Sequence, residues 1–502
     1  MQMVYTSTRA KKCVLPSRAV IDGISPEGGL YVPVELPKVS LEWISNMQGL
    51  SYPERAAKIL SLFFTEFSHG EMQEMCEKAY GKDRFDDERA APLHMPENSA
   101  AHYLELFHGP TQAFKDMALQ MLPRLMSAAM KLSGAENETV ILVATSGDTG
   151  KAALEGFKDV PGTRVIVFYP AGGVSAMQQL QMATQRGRNV HVCAAMGNFD
   201  DAQTGVKEIF TDKAFEAELA KMGKSLSSAN SINFGRLAPQ IAYYFSAWVD
   251  LLSCGKIKPG EKVNFCVPTG NFGNILACEY ARRMGLPVGK MICASNSNNV
   301  LTDFIQTGRY NARREFIKTI SPSMDILISS NVERLLFELC GRDENAVAQM
   351  MAQLSSKGEY SLPVKAAESL KELFHADWVD EAGTRTEIKR VFDDCGYMID
   401  PHTAVASAVY ERYRAETGDK TQTVIVSTAS PYKFAGDVLT AICGETPSIT
   451  SEMIAADFLE SFTGCKMPPA LKELRSLPLL HRDICEKDGM KEAVKNILGG
   501  TV

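Results

Sequence analysis

Val140-Ile141-Leu142-Val143-Ala144-Thr145 followed by Ser146-Gly147-Asp148-Thr149-Gly150 is the stretch from which the fold is read. A short apolar run suits a strand buried on both faces. The Gly-containing turn that follows leads into a helical pattern from Lys151 to Lys158, and Arg164 to Tyr169 is a second strand of the same kind. Strand, helix and strand in that order form a right-handed βαβ unit, and Asn189 to Ala194 extends it with a further strand. The same grammar returns at Lys262 to Val267, with the turn Pro268-Thr269-Gly270-Asn271-Phe272-Gly273-Asn274, a helix from Ile275 and a strand at Met291 to Ser295. It returns again at Thr423 to Ser427, followed by Thr428-Ala429-Ser430-Pro431-Tyr432 and a helix through Ile442. Such repetition predicts an α/β fold with mainly parallel sheets flanked by helices, in which ligands bind beyond the carboxyl ends of the strands. The turns after the 140, 262 and 423 strands are therefore expected to face one cleft.

Working outward, Pro92 and Pro96 mark a boundary. Residues 1–95 read as an N-terminal region of short turns and helices, with a helical pattern from Tyr52 to Phe67. Residues 96–445 read as two α/β lobes, the smaller at about 135–240, with a helical insertion at about 300–400 that holds no strand of comparable strength. Asp400-Pro401 opens a helix, Asp being a good N-cap and Pro a good first residue. Residues 446–502 form a C-terminal segment without a recognisable motif.

The composition fits an ordinary globular chain of several domains: 502 residues, 45% hydrophobic and 23% charged, with a net charge of -7. No basic run points to nucleic acid. No apolar stretch approaches the roughly 18 residues of a membrane helix, and the N-terminus carries no signal-peptide pattern. The 12 cysteines are scattered without metal-site spacing. They read as small buried hydrophobes in a reducing compartment. A soluble cytoplasmic enzyme is expected, and no metal centre.

Three segments can carry chemistry. In Thr269-Gly270-Asn271-Phe272-Gly273-Asn274, glycines admit close approach and successive N–H groups at a helix start can cradle an anion; a tight turn without a ligand has the same form. Ser146-Gly147-Asp148-Thr149-Gly150-Lys151 is not a nucleotide-binding P-loop, because the spacing before Gly-Lys is missing and Ala152 replaces the magnesium-binding hydroxyl. Lys115 sits among Ala113, Phe114 and Met117. Desolvation there would lower its pKa and favour a Schiff-base nucleophile; alternatively it reaches the surface and pairs with Asp116. The eight histidines are dispersed, and His108 and His402 lie in turn or cap contexts.

Taken in order, ELFHGPT-x-AFKD, TSGDTG, NSINFGR, PTGNFGN and STASPYKF resemble threonine synthase, a pyridoxal-phosphate enzyme family of the tryptophan-synthase-β fold type (fold type II). Tyr5-Thr6-Ser7-Thr8-Arg9 and Ser25-Pro26-Glu27-Gly28-Gly29-Leu30-Tyr31-Val32-Pro33 resemble the family's opening segment, so the resemblance runs from about residue 5 to 440. Two departures, Ser430 where some members carry His and the variable Gln112, touch neither the lysine nor the phosphate loop.

The resemblance implies a lyase of threonine biosynthesis that turns O-phospho-L-homoserine and water into L-threonine and phosphate. It implies that Lys115 links covalently to pyridoxal phosphate and then carries protons. Gly270, Asn271, Phe272, Gly273 and Asn274 would hold the cofactor's phosphate, Thr428 would hydrogen-bond the pyridine nitrogen, and Asp148 would sit beside the ring hydroxyl. Ser146, Thr149, Asn230, Ser231 and Arg236 match positions expected to bind the substrate's phosphate. The small-molecule substrate would be the partner, with no nucleic acid or membrane, and the protein a monomer or homodimer. The same motifs also fit a phospho-lyase that releases 2-oxobutyrate, or a relative that binds pyridoxal phosphate without turnover.

Overall fold

The computed structural model describes residues 2–134, 137–145, 147–444 and 451–499. Its larger sheet has six strands in the spatial order Phe374–Trp378, Val288–Ser295, Val263–Pro268, Thr423–Ser427, His102–Glu105 and Leu93–His94. Neighbours run parallel except for the antiparallel last pair. The Val263–Pro268 and Thr423–Ser427 strands are buried along their whole length, as unbroken apolar runs require when helices cover both faces. The smaller sheet is parallel throughout, in the order Asp483–Cys485, Val190–Ala195, Thr163–Pro170, Glu138–Ala144 and Lys224–Ser227.

The long helix Phe234–Ser253 is buried over most of its surface. It packs against Tyr52–Leu60, Lys115–Leu119 and Gly273–Met284 and so sits at the centre of the molecule. In the N-terminal region, Tyr5–Ser7 pairs antiparallel with Tyr31–Pro33. Among the described residues, no helix is long and apolar enough to cross a membrane.

The parallel α/β architecture and its two sheets agree with the reading of the sequence. Three elements differ from it. The Tyr52–Phe67 helical pattern stops at Leu60. The next residues are buried in a tight turn, Phe63 N–H donating to Leu60 O and Tyr5 Oη to Phe63 O. Within 300–400, Phe374–Trp378 adds a parallel edge strand beside Val288–Ser295. Its side chains alternate between buried and half-exposed, so no continuous apolar run advertises it. The end of the chain completes the smaller lobe: Asp483–Cys485 extends its sheet, and Met490–Gly499 packs on Phe199–Thr211. Two of that strand's three residues are exposed, leaving nothing for hydrophobic patterning to detect.

Helix Asp148–Phe157 lies directly on helix Lys115–Leu119, and a Cβ built on Gly156 would stand 1.9 Å from Leu119 O. Gly156→Ala should therefore cost about 1–3 kcal/mol through overpacking, read as a lower urea midpoint at unchanged slope. Gly70→Ala, where nothing stands within 4 Å, should show no loss.

Candidate active site

Lys115 is placed by the chain before it. The segment 106–114 is laced to the carboxyl end of the Thr423–Ser427 strand: Leu106 N–H donates to Ser427 O (2.9 Å), Phe114 N–H to Thr428 O (2.8 Å) and Ser430 N–H to Gln112 O (3.1 Å). Gln112 holds a positive φ of 58° within this crossing. The fully buried Asp116 carboxylate accepts from Thr111 N–H at 2.8 Å and Thr111 Oγ1 at 2.9 Å, fixing the turn from which the lysine projects.

The Lys115 ammonium donates to Ser323 Oγ at 3.3 Å, lies 3.8 Å from Asp148 Oδ2 and stands 4.9 Å from the centroid of the Phe114 ring. Burial pushes its pKa down to about 8 against the pull of Asp148, with repulsion from Arg236 and Lys433 in the same direction as burial. The Asp116 partner expected for a surface lysine belongs instead to Thr111.

Asp148, at the start of its helix, contacts more than Lys115. Its Oδ1 takes a 2.6 Å ion pair from Lys433 Nζ and a 3.0 Å hydrogen bond from Gln178 Nε2. Burial would raise its pKa, but Lys433 and Lys115 hold it far below the usual carboxylate range. Gly147 makes room for this: its φ is +137°, and a Cβ there would meet the Gln178 side chain at 2.3–2.5 Å. Lys433 is fully buried, with Thr111 O as a second acceptor at 2.9 Å. Reading the sequence did not single it out, although Tyr432-Lys433-Phe434 repeats the signature that drew attention to Lys115, a lysine between apolar neighbours.

The turn after Val263–Pro268 reaches the same place. Gly270 lies against the turn that carries Ser323, and a Cβ there would meet Ser323 O at 2.7 Å and Met324 Cα at 2.8 Å. Among the described residues, the N–H groups of Gly270, Asn271, Gly273 and Asn274 have no protein acceptor, whereas Phe272 N–H donates to Ser330 O at 2.8 Å. The Phe272 ring is buried against Phe374. Asn274 Oδ1 accepts from Tyr243 Oη (2.5 Å) and Tyr244 Oη (2.7 Å), while its buried Nδ2 has no protein partner among the described residues. Four free N–H groups at a helix start make an anion cradle, and Phe272 and the Asn274 side chain shape it from the core. Thr428 is buried beside Phe114, its N–H on Thr403 Oγ1 (3.4 Å) and its hydroxyl without a protein partner among the described residues.

A second cationic point lies at the start of helix Phe234–Ser253. Arg236 is 5% exposed and donates to Ala229 O at 2.8 Å. No carboxylate pairs with it among the described residues, and burial alone lowers its pKa to about 10. Ser231 Oγ sits 2.8 Å from Ser330 Oγ, Asn230 is half-buried beside it, and Thr149 is half-buried in the first turn of the Asp148–Phe157 helix. Ser146 lies outside the described residues. His402 joins the site indirectly: its Nε2 accepts from Ser323 N–H at 3.2 Å while Nδ1 meets Asp400 at 2.7 Å.

Family models match along the chain: "Threonine synthase N terminus" over residues 4–80, "Pyridoxal-phosphate dependent enzyme" over 96–373 and "Threonine synthase, C-terminal" over 403–478. The human protein named threonine synthase-like 1 is 43% identical over 439 residues, covering 85% of this chain but 58% of its own length. The chain thus spans somewhat over half the length of such relatives. Threonine synthase of Pseudomonas aeruginosa is 38% identical, covering 93% of this chain and 96% of its own. Among solved structures, pyridoxal-phosphate-bound threonine synthase from Brucella melitensis superposes with a TM-score of 0.87 at 36% identity, covering 99% and 98% of the two chains. The yeast threonine synthase structure gives 0.88 at 33% identity over the same shares.

Gly270→Ala forces the loop away from the Ser323 turn, so affinity for pyridoxal phosphate should fall at least about tenfold, a loss of roughly 1.4 kcal/mol. An absorbance titration of the full chain checks this; unchanged affinity would remove Gly270 from the binding loop.

Proposed function

The chain belongs to the threonine synthase family of pyridoxal-phosphate-dependent enzymes, and from that premise we propose that it converts O-phospho-L-homoserine and water into L-threonine and phosphate. The carrying observation is the buried Arg236 guanidinium, without an acid partner among the described residues and close enough to repel the Lys115 ammonium. Burying an unpaired guanidinium is costly. A bound phosphate removes that cost, and a substrate that loses phosphate needs such a contact beside the reacting carbons.

The residues fit the cofactor on chemical grounds. Lys115 is a desolvated amine with a lowered pKa, the form that condenses with an aldehyde. The N–H groups of Gly270, Asn271, Gly273 and Asn274 suit a phosphate, and the unpartnered Thr428 hydroxyl suits the ring nitrogen. Bound pyridoxal phosphate supplies an electron sink for the charge left when a C–H bond is broken.

Lys115 would hold that group covalently, then take the proton from the substrate's α-carbon and later return one there. Its loose tether, 3.3 Å to one hydroxyl and 3.8 Å to one carboxylate, suits a side chain that must move. Arg236, with Ser231, Thr149, Asn230 and Ser146, would bind the leaving phosphate, so that departure from the γ-carbon is assisted by charge already in place. Asp148, kept ionised by Lys433, would orient the ring hydroxyl. Thr428, being neutral, would offer a hydrogen bond without favouring protonation of the ring nitrogen. A proton would also have to leave the β-carbon for the phosphate to depart; the γ-carbon then gains a proton to become the methyl group, and water supplies the hydroxyl at the β-carbon. Cytoplasmic operation is supported by the absence of disulfides among the 12 cysteines.

The test is an NMR product assay with O-phospho-L-homoserine and pyridoxal phosphate, beside a Lys115→Ala control. Threonine and phosphate should appear together and only with Lys115 present; 2-oxobutyrate with phosphate would instead mean a phospho-lyase. Arg236→Leu should raise KM and lower kcat, together worth about 2–5 kcal/mol of transition-state stabilisation. Near-normal kinetics in that variant would contradict the phosphate contact.

A further inference from the structure

Two lysines share one buried carboxylate in this site, and they share it unequally. Lys433 Nζ is 2.6 Å from Asp148 Oδ1, accepted also by Thr111 O at 2.9 Å, and its side chain is wholly buried. Lys115 Nζ is 3.8 Å from the other oxygen, and its firmest partner is a hydroxyl. One ammonium is clamped and the other is tethered. We propose that Lys433 is a positioning residue: by occupying Asp148 as its permanent counter-ion, it frees Lys115 to exist as the neutral amine that attacks an aldehyde and removes a proton.

The surrounding charges support this division. Lys115 faces Asp116 on its own helix, Asp148 on helix Asp148–Phe157, Arg236 on helix Phe234–Ser253 and Lys433 on the turn Pro431–Phe434. Lys433 itself faces Asp148, Asp116 and Lys151. Three cations thus crowd Lys115 and its two acids. Asp148 is already neutralised by Lys433, while burial pushes Asp116 up to about 7, which makes it a weak counter-charge. A proton on Lys115 is the one the cluster releases most readily, because Lys433 cannot leave Asp148 without stranding a buried carboxylate. Without Lys433, Asp148 would turn to Lys115 and hold that proton on it. Lys433 has no comparable freedom to react, since it is enclosed and doubly bonded.

This inference rests on Lys115 being the reactive amine, and its test needs neither substrate nor turnover. The full chain, without pyridoxal phosphate, is labelled by trace acetic anhydride between pH 6 and 11, and acetylation at each lysine is read by peptide mass spectrometry. In the unmodified chain, Lys115 labelling should have its midpoint near pH 8, and Lys433 should stay unlabelled over that range. In Lys433→Met, shown folded by circular dichroism, the Lys115 midpoint should rise by at least about one unit, so that labelling at pH 8 falls about fivefold or more. An unmoved midpoint in the folded variant overturns the proposal. If the variant does not fold, the unmodified chain decides: Lys115 titrating like an ordinary lysine, or Lys433 labelling in step with it, overturns the proposal, and the opposite pattern supports it. Failure of this test would leave the product assay untouched, and the reverse also holds.

Discussion

The buried carboxylate of Asp148 is the constraint to which the rest of the site conforms. A charge removed from water must be met by partners held in place, and these arrive from three directions. Lys433 comes from the turn after Thr423–Ser427, Lys115 from the segment bound to that strand's end, and Gln178 from the helix that follows Thr163–Pro170. Asp148 begins the helix that follows the smaller sheet's Glu138–Ala144 strand, while both lysines belong to the larger sheet's side. One ion cluster therefore registers the two lobes against each other. The same cluster sets the protonation of the amine between them, so architecture and chemistry meet in a single group.

A second tie joins the two segments proposed to bind phosphate. Ser329 Oγ donates to Gly270 O, Ser330 N–H to Asn271 Oδ1, and Asn331 Nδ2 to Ser231 O. The 329–331 strap thus spans from the 270–274 loop to the 230–236 segment. The N-terminal region holds the strap: Thr8 and Arg9 bind Glu333, and the buried Arg334 reaches Tyr31 O and Ile232 O. Residues 5–33 are in this way part of the site's framework, which gives a physical reason for their motifs to accompany the catalytic ones.

How much of this was legible beforehand varies by residue. The buried parallel strands announce themselves as apolar runs, and Lys115 and the Gly270 loop are written into the local chain because their chemistry demands those residue types in sequence. Lys433 was not legible, since its meaning lies in contact with Asp148 far along the chain. Asn274 matches a phosphate-loop position, yet its side-chain oxygen is held by Tyr243 and Tyr244 on another helix, and no local pattern reveals that. The Phe374–Trp378 and Asp483–Cys485 strands escaped because edge strands that face solvent lose the apolar signature. What local chemistry fixes can be read from sequence; what distant pairing fixes cannot.

The most direct test of the two-phosphate account is a crystal structure of the full chain with pyridoxal phosphate and a phosphonate analogue of the substrate that lacks the α-amino group and so cannot displace Lys115 from the cofactor. The account predicts density continuous from Lys115 Nζ to the cofactor. It also predicts one phosphate on the N–H groups of Gly270, Asn271, Gly273 and Asn274, and the phosphonate on Arg236. A cofactor attached elsewhere, or a phosphonate bound away from Arg236, would contradict it.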